Sequence, residues 1–167
     1  MSYHIYTTDG LVLLERPWRE ADRIYNILTR DLGLIRATAL GVRKEASKLR
    51  GSLEPISLAS ISLVRGKEYW RVTSAQSLKR LSPKPSLLKP LALLDKLVQG
   101  EASHPELFDA VEKMILKPNT DEEVTEINLV AQILYHLGYL KESDLSLEKR
   151  ELLKAINDGI QASNLTS

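Results

Sequence analysis

Ser82-Pro83-Lys84-Pro85 divides the sequence into two parts that have different hydrophobic periods. Before this stretch, short apolar runs rich in β-branched residues lie between turn signals, a pattern typical of β-strands. After it, apolar residues recur every three or four positions, which indicates amphipathic helices. The sequence therefore predicts an α+β protein with a β domain over residues 1–81 and an all-α helical domain over residues 82–167.

The first part contains five candidate strands, and their order predicts a small β-barrel. One of them, Asp22–Thr29, also has apolar residues at helical spacing, but the turn signal Asp31-Leu32-Gly33 that follows favours a strand and a hairpin. The polar stretch Gly41–Pro55 has room for one helical turn beginning at Ser47. Four or five strands with a short helix between the third and the fourth match the order of an OB-fold barrel. The five runs are Leu11–Leu14, Asp22–Thr29, Leu34–Leu40, Ile56–Val64 and Tyr69–Thr73.

The fourth run changes its apolar phase along its length. Ile56 and Leu58 occupy even positions, whereas Ile61 and Leu63 occupy odd ones. One extra residue near Ala59-Ser60 would return both pairs to the same face, so the pattern predicts a β-bulge there. The alternative is two short strands separated by a kink.

Capping signals divide the second part into helices. Ser103 and Glu106 have the spacing of a capping box that would open the second helix, and Thr120 and Glu123 repeat that spacing before the third. Gly138 would end the third helix in a left-handed conformation. We expect a helical domain with no strand of its own.

The two parts carry opposite charge, although the whole chain is nearly neutral at +1. Residues 1–80 contain 14 Lys and Arg against 8 Asp and Glu, a net charge of +6, and the remaining residues have a net charge of −5. A basic domain joined to an acidic one indicates that only the first presents a surface to a polyanion.

Five cations lie between Arg36 and Arg50, at the end of the third strand and in the connection that follows it, and Glu45 is the one anion among them. Neutralisation of phosphates by such cations drives binding to nucleic acids, so we predict a nucleic-acid-binding surface here. Six of the nine aromatic residues also lie in the basic part, and OB-folds stack bases on aromatic side chains. The alternative is a solvated loop beside core aromatics. The residues predicted to bind nucleic acid are Arg36, Arg43, Lys44, Lys48, Arg50, Trp18, Lys67 and Arg71.

Several kinds of chemistry find no support in the sequence. There is no cysteine, and the three histidines are widely spaced, so we expect no metal site and no cofactor. Asp121-Glu122-Glu123 suits the first turn of a helix better than a metal, because negative charge complements the helix dipole there. No catalytic constellation has a usable spacing. We expect a non-enzymatic protein without a secretory signal or a membrane span, located in the cytoplasm.

These segments together resemble the recombination mediator family RecO. The resemblance is carried by Leu11-Val-Leu-Leu, Arg19-Glu-Ala-Asp-Arg-Ile24, Leu28-Thr-Arg-Asp-Leu-Gly-Leu-Ile35, Ala39-Leu-Gly-Val-Arg-Lys44 and Ser47-Lys-Leu-Arg-Gly-Ser-Leu-Glu-Pro55. In the helical part, Pro105-Glu-Leu-Phe108 and Leu134-Tyr-His-Leu-Gly-Tyr139 are similar as well.

The resemblance implies an N-terminal OB-fold, a helical domain and a role in DNA repair by homologous recombination. RecO-like proteins bind single- and double-stranded DNA, and they anneal complementary strands coated by single-strand-binding protein. With the partner RecR they help to load the recombinase RecA. The resemblance also implies a bacterial-type, nucleoid-associated protein whose Arg43, Lys44, Lys48 and Arg50 contact DNA.

The sequence departs from many of its relatives in two respects. It lacks the four-cysteine zinc site that they carry in the helical part, and it is short for the family, so we expect a cysteine-free member with a reduced helical domain. The contact with single-strand-binding protein is not assigned to residues. Two other functions stay open at this point, namely an RNA-binding OB-fold protein and a protein–protein adaptor without DNA contact.

Overall fold

The N-terminal part of the computed structural model is a closed five-stranded barrel. The structure describes residues 3–43, 48–98 and 100–163. The strand order is β1-β2-β3-β5-β4, in which β3 and β5 are parallel and the other neighbours antiparallel. This is the topology of an OB-fold, and both that fold and the strand at Asp22–Thr29 are as predicted. The strands are β1 (Ile5–Trp18), β2 (Asp22–Thr29), β3 (Gly33–Ala39), β4 (Ser57–Arg65) and β5 (Trp70–Arg80).

Alternate residues of every strand fill the barrel. On β2, Tyr25 and Ile27 point inward, and both are almost completely buried. The connection from β3 to β4 adds Val42 and Leu53 to the same core. A short 3₁₀ helix, Arg50–Ser52, lies in this connection. The helical turn predicted at Ser47 falls outside the described residues.

The prediction of an extra residue within β4 is wrong. The strand alternates without interruption, with Ala59, Ile61 and Leu63 inward, and its register with β1 is continuous. The apparent phase change has another cause. Ile56 precedes the strand with a φ of 57°, and Leu58 faces outward yet is 2% exposed. At this end of the strand, apolar residues on the inward and on the outward face are both buried. A bulge is therefore not needed to explain the pattern.

The extra residues belong to β5 instead. Leu58 of β4 is opposite Lys79 of β5, and the next residue, Ala59, is opposite Ser77. Leu78 is therefore the additional residue on β5. Thr73 is skipped in the same way opposite Ser62. Such bulges increase the local bend and twist of a strand. They therefore supply on β5 the curvature that closure of a small barrel requires.

A short segment from further along the chain contacts the barrel. Gly100–His104 belongs to the same compact unit as the strands, although the residues on either side of it in the sequence belong to the second unit. Glu101 accepts a hydrogen bond from the Trp70 indole at 2.9 Å, and the Ser103 hydroxyl donates to the Arg30 carbonyl at 3.4 Å. Gly33, with a φ of 73°, leaves room for this segment, because a Cβ there would lie 2.3 Å from the Ala102 oxygen.

The second compact unit is helical. Its four helices are α1 (Pro85–Leu97), α2 (Pro105–Leu116), α3 (Glu122–His136) and α4 (Lys149–Ala162). Asp121, not the predicted Thr120, caps α3, because its carboxylate is one residue closer and accepts from the backbone N–H groups of Glu123 and Val124. Gly138 has a φ of 87° just after α3, as predicted. No helix in the described part of the chain is both long and apolar enough to span a membrane.

Candidate nucleic-acid interface

A groove with a volume of about 440 Å³ opens where the β1–β2 and β4–β5 loops meet the end of β3. These two loops flank the surface on which OB-folds bind oligonucleotides and oligosaccharides. We call this cavity the aromatic groove. Its lining consists of Tyr3, Trp18, Arg19, Thr38, Leu40, Val64, Arg65, Gly66, Lys67, Glu68, Tyr69 and Arg71.

Two aromatic side chains from different loops meet in the aromatic groove. Trp18 is the last residue of β1 and Tyr69 immediately precedes β5, and their ring centroids are 5.6 Å apart at an interplanar angle of 72°. Both are half-buried, so part of each ring stays accessible. Arg19 follows Trp18 with a φ of 52°, a left-handed conformation that turns the chain sharply into β2. The pair offers apolar ring surface to a planar ligand.

Four cations surround these rings, against one carboxylate of the lining, Glu68. Arg19, Lys67 and Arg71 are exposed, and none of them forms an ion pair with a carboxylate in the described residues. Arg65 differs, because it pairs with Glu101 at 3.0 Å. Three unneutralised cations beside accessible rings form a surface suited to anions that also carry aromatic groups.

Backbone contacts hold the β1–β2 loop at the edge of the groove. The Asp22 carboxylate accepts from the Gly41 N–H at 2.7 Å, and the Arg43 N–H donates to the Ala21 carbonyl at 2.9 Å. The Arg43 guanidinium donates to the Arg19 carbonyl at 3.4 Å and is otherwise exposed. Arg43 is thus the member of the predicted basic connection that lies next to the aromatic groove.

Other predicted residues lie elsewhere on the barrel. Lys48 and Arg50 are exposed, and Gly51, which follows them, accepts from the Arg80 guanidinium at 3.0 Å. Arg80 ends β5, whereas Arg71 is near its start, and nine residues of strand extend over roughly 30 Å. Lys48 and Arg50 are therefore remote from Arg71 along the strand. Lys44 lies outside the described residues.

Arg36 belongs to a second, smaller cavity on the outer face of the barrel. Its volume is about 220 Å³, and Arg16 and Asn26 contribute to its wall. Asn26 is directly opposite Arg36 in the β2–β3 ladder. The face of β2 and β3 is the other part of the usual OB-fold ligand surface.

The structure thus brings three predicted residues, Trp18, Lys67 and Arg71, into one groove. It adds Arg19, Arg65 and Tyr69, which we did not predict. The signal for Tyr69 was present, since it adjoins Trp70 in a polar stretch, but the sequence does not reveal which of two adjacent aromatic residues is buried. Trp70 is 2% exposed and belongs to the core. No three His, Asp or Glu side chains of the described residues are grouped closely enough to hold a metal ion.

The barrel topology and the position of the groove define an OB-fold protein with a basic, aromatic ligand surface. Residues 1–81 match the family described as Recombination protein O N terminal, so this part of the chain is similar to that family. The resemblance of the chain to RecO that the sequence indicated is confirmed by the relatives.

Three proteins named DNA repair protein RecO illustrate the similarity. The one from Synechococcus sp. (strain JA-2-3B'a(2-13)) is 44% identical over 81 residues, which are 48% of this chain and 28% of the relative. One from Dehalococcoides mccartyi (strain BAV1) is 41% identical over 76 residues, or 46% of this chain and 30% of the relative. The one from Heliobacterium modesticaldum is 28% identical over 165 residues, which cover 93% of this chain and 59% of the relative. The chain thus spans between 28% and 59% of the length of these relatives.

Proposed function

We propose that this protein acts in DNA repair by recombination, as a non-enzymatic mediator that binds DNA and anneals complementary strands. The observation that carries the proposal is the aromatic groove, in which rings and unpaired cations meet at the OB-fold ligand surface. The names of the relatives support a role in repair. Residues 1–81 would be the nucleic-acid-binding domain, and residues 82–167 the helical domain.

In this proposal the aromatic groove takes single-stranded DNA. An unpaired base would stack on the accessible faces of Trp18 and Tyr69, and Arg19, Lys67 and Arg71 would neutralise the adjoining phosphates. Stacking is tolerant of sequence because every base has a π-face. Binding should therefore depend strongly on salt and weakly on base composition.

Annealing needs a second strand near the first, and the remaining cations offer it a place. Arg43 lies next to the aromatic groove and Arg36 lines the smaller cavity on the outer face, while Lys48 and Arg50 precede Gly51, which contacts Arg80 at the far end of β5. Together with Lys44, these residues would contact the phosphates of a second strand or of the duplex product. Screening of phosphate repulsion raises the local concentration of both strands, and base pairing supplies the driving force.

The partners follow from the resemblance to RecO. We propose that a RecR-type partner assists this protein in loading the recombinase onto DNA coated by single-strand-binding protein. A contact with single-strand-binding protein is part of this proposal. No cofactor and no membrane is involved in it.

The test compares two triple variants that remove the same charge. Arg19, Lys67 and Arg71 are changed to Ala in one, and the exposed Lys113, Lys117 and Lys154 of the helical unit in the other. Fluorescence anisotropy with labelled single-stranded DNA is measured across a salt series. The groove variant should lose affinity, and its salt slope should fall by about 2, since each phosphate contact contributes roughly 0.7. The helical variant should change little. Equal losses in both variants would show that general charge, and not the groove, binds DNA.

The two alternatives have their own readouts. An RNA-binding protein would prefer RNA to DNA of the same sequence, because the 2′-hydroxyl distinguishes them. An adaptor without DNA contact would retain no DNA on a filter even at low salt. If the wild-type protein retains single-stranded DNA on the filter more strongly than RNA of the same sequence, both alternatives are contradicted.

A further inference from the structure

The segment Gly100–His104 places one carboxylate at the edge of the aromatic groove. Glu101 Oε2 accepts from Arg65 Nη2 at 3.0 Å, while Glu101 Oε1 accepts from Trp70 Nε1 at 2.9 Å. The Arg65 guanidinium also lies over the Trp70 ring, with its Cζ 4.3 Å from the ring centroid. Glu101, Arg65 and Trp70 therefore contact one another pairwise, and we call this set the Glu101 clamp.

The clamp sets Arg65 apart from the other cations of the groove. Arg19, Lys67 and Arg71 have no ion pair within the described residues, whereas a negative charge adjoins Arg65. Arg65 lines the groove nonetheless, and its side chain is 61% exposed. One edge of the Arg65 guanidinium is thus already bonded to the Glu101 carboxylate.

We propose that Glu101 competes with phosphate for Arg65 and so regulates the affinity of the aromatic groove for single-stranded DNA. This inference rests on the proposed function of the groove. A carboxylate and a phosphate both accept charge-assisted hydrogen bonds from the same N–H groups of a guanidinium. A phosphate that approaches Arg65 must displace Glu101 or share the cation with it, and in either case the attraction is reduced.

Loss of the Glu101 charge should strengthen binding rather than loosen Arg65. The ion pair is exposed, and exposed ion pairs restrain side chains only weakly. Arg65 has a second restraint in its contact with the Trp70 ring, which does not depend on the carboxylate charge. Competition therefore outweighs positioning in this geometry.

Glu101→Gln tests the proposal, because glutamine keeps an oxygen that can accept from Trp70 Nε1 while it removes the negative charge. We expect the affinity for single-stranded DNA at low salt to rise about two- to fivefold, the effect of releasing one exposed ion pair. The salt slope should become steeper by roughly 0.7, equivalent to one further phosphate contact. The melting temperature, measured in parallel, shows whether the fold is intact.

Glu68→Gln is the matched control, since Glu68 also lines the groove but forms no ion pair with any residue that the structure describes. Both substitutions are repeated in an Arg65→Gln background. The effect of Glu101→Gln should vanish there, because its target is gone, whereas the effect of Glu68→Gln should persist. If Glu101→Gln tightens binding equally in both backgrounds, the carboxylate acts only through general charge and the proposal is overturned.

A second comparison holds even if Glu101→Gln destabilises the protein. In the presence of Glu101, Arg65→Gln should weaken binding less than Lys67→Gln does, because Arg65 is already partly neutralised. An equal or larger loss for Arg65→Gln contradicts the inference. If the wild-type protein binds DNA but Glu101→Gln leaves the affinity unchanged, this inference alone fails. If the wild-type protein binds no single-stranded DNA at low salt, the proposed function fails and the inference with it.

Discussion

At the scale of single residues, the two tryptophans have opposite environments. Trp70 lies in the barrel core with its indole N–H bonded to Glu101, whereas Trp18 is half-buried at the rim of the aromatic groove. A buried indole normally has a hydrogen-bond partner, and the ring of an accessible one can serve a ligand. Trp70 therefore has a structural role, whereas the accessible ring of Trp18 is the one to which we assign a binding role in the proposed function.

Trp18→Ala should weaken binding of single-stranded DNA by about 1–3 kcal/mol, the usual contribution of one stacked base. It should also reduce the free energy of unfolding by about 1 kcal/mol, because the edge-to-face contact with Tyr69 is lost. Anisotropy titration and urea unfolding measure the two effects separately. Trp18→Phe keeps a ring and should retain most of the affinity. If Trp18→Ala binds as the wild type does, bases do not stack at this position.

Tyr25 provides a prediction about pH. Burial in the barrel, and secondarily the nearby Glu15 carboxylate, raise the pKa of its phenol above the usual value near 10. Below pH 10 the phenol is neutral in both the folded and the unfolded chain, so its full contribution to the free energy of unfolding is present. Above pH 10 the unfolded chain releases the proton while the folded one keeps it, so stability is lost as the pH rises through the folded pKa.

Tyr25→Phe should therefore make the decline of stability above pH 10 shallower, because it removes the phenol whose pKa is higher in the folded than in the unfolded chain. Urea unfolding at pH 8, 10 and 11 gives the free energy of unfolding for both proteins. The other tyrosines and the lysines are common to both, and their contribution cancels in the comparison. An identical decline in the two proteins would show that Tyr25 ionises equally easily in both states.

At the scale of elements, sequence patterns predicted the barrel well and its irregularities poorly. The apolar residues of Asp22–Thr29 were compatible with a helix as well as a strand. The run could be assigned as a strand because a hairpin signal follows it. The bulges could not be placed, since residues such as Thr73 and Leu78 are compatible with a regular strand and become additional only through pairing with β4. The cap of α3 is Asp121 and not Thr120, because two adjacent residues both had suitable side chains.

Gly33 and Gly100 allow steric crowding to be separated from backbone strain. Both have a φ of 73°, but a Cβ at Gly33 would lie 2.3 Å from the Ala102 oxygen, while no described atom lies within 4 Å of a Cβ at Gly100. Each substitution to Ala should cost about 1–2 kcal/mol for the left-handed conformation. Gly33→Ala should cost about 1–3 kcal/mol more, as overpacking does. Urea unfolding checks this order, and equal losses would mean that residues 100–104 move aside freely.

At the scale of the whole molecule, the candidate site could be predicted only in part. The charge difference between the two parts of the chain pointed to the domain that contains the aromatic groove, and the aromatic composition supported that choice. The aromatic groove itself escaped prediction because it joins residues as distant as Trp18 and Tyr69. Barrel closure determines such neighbours, and no local pattern contains that information.

The basic connection between β3 and β4 supplies a prediction for the whole protein. Replacement of Arg43, Lys44, Lys48 and Arg50 by Ala should reduce the salt slope of DNA binding by up to about 3, with little change in sequence preference. Stability should change by no more than about 0.5 kcal/mol per site, as is usual at surfaces. Annealing of complementary strands, followed by fluorescence, should fail. If the folded variant keeps its affinity and salt slope, the aromatic groove alone contacts DNA.

The segment Gly100–His104 also has a consequence for synthesis of the chain. A ribosome adds about 5–20 residues per second, so Glu101 follows Arg80 by about 1–4 s. During that interval all five strands have been synthesised and residues 85–97 of α1 are being added, but the Trp70 indole still lacks its acceptor. We expect the newborn domain to reach its final geometry at the rim of the groove only after this delay. The Arg65 guanidinium consequently lacks its ion pair with Glu101 until that residue has been added.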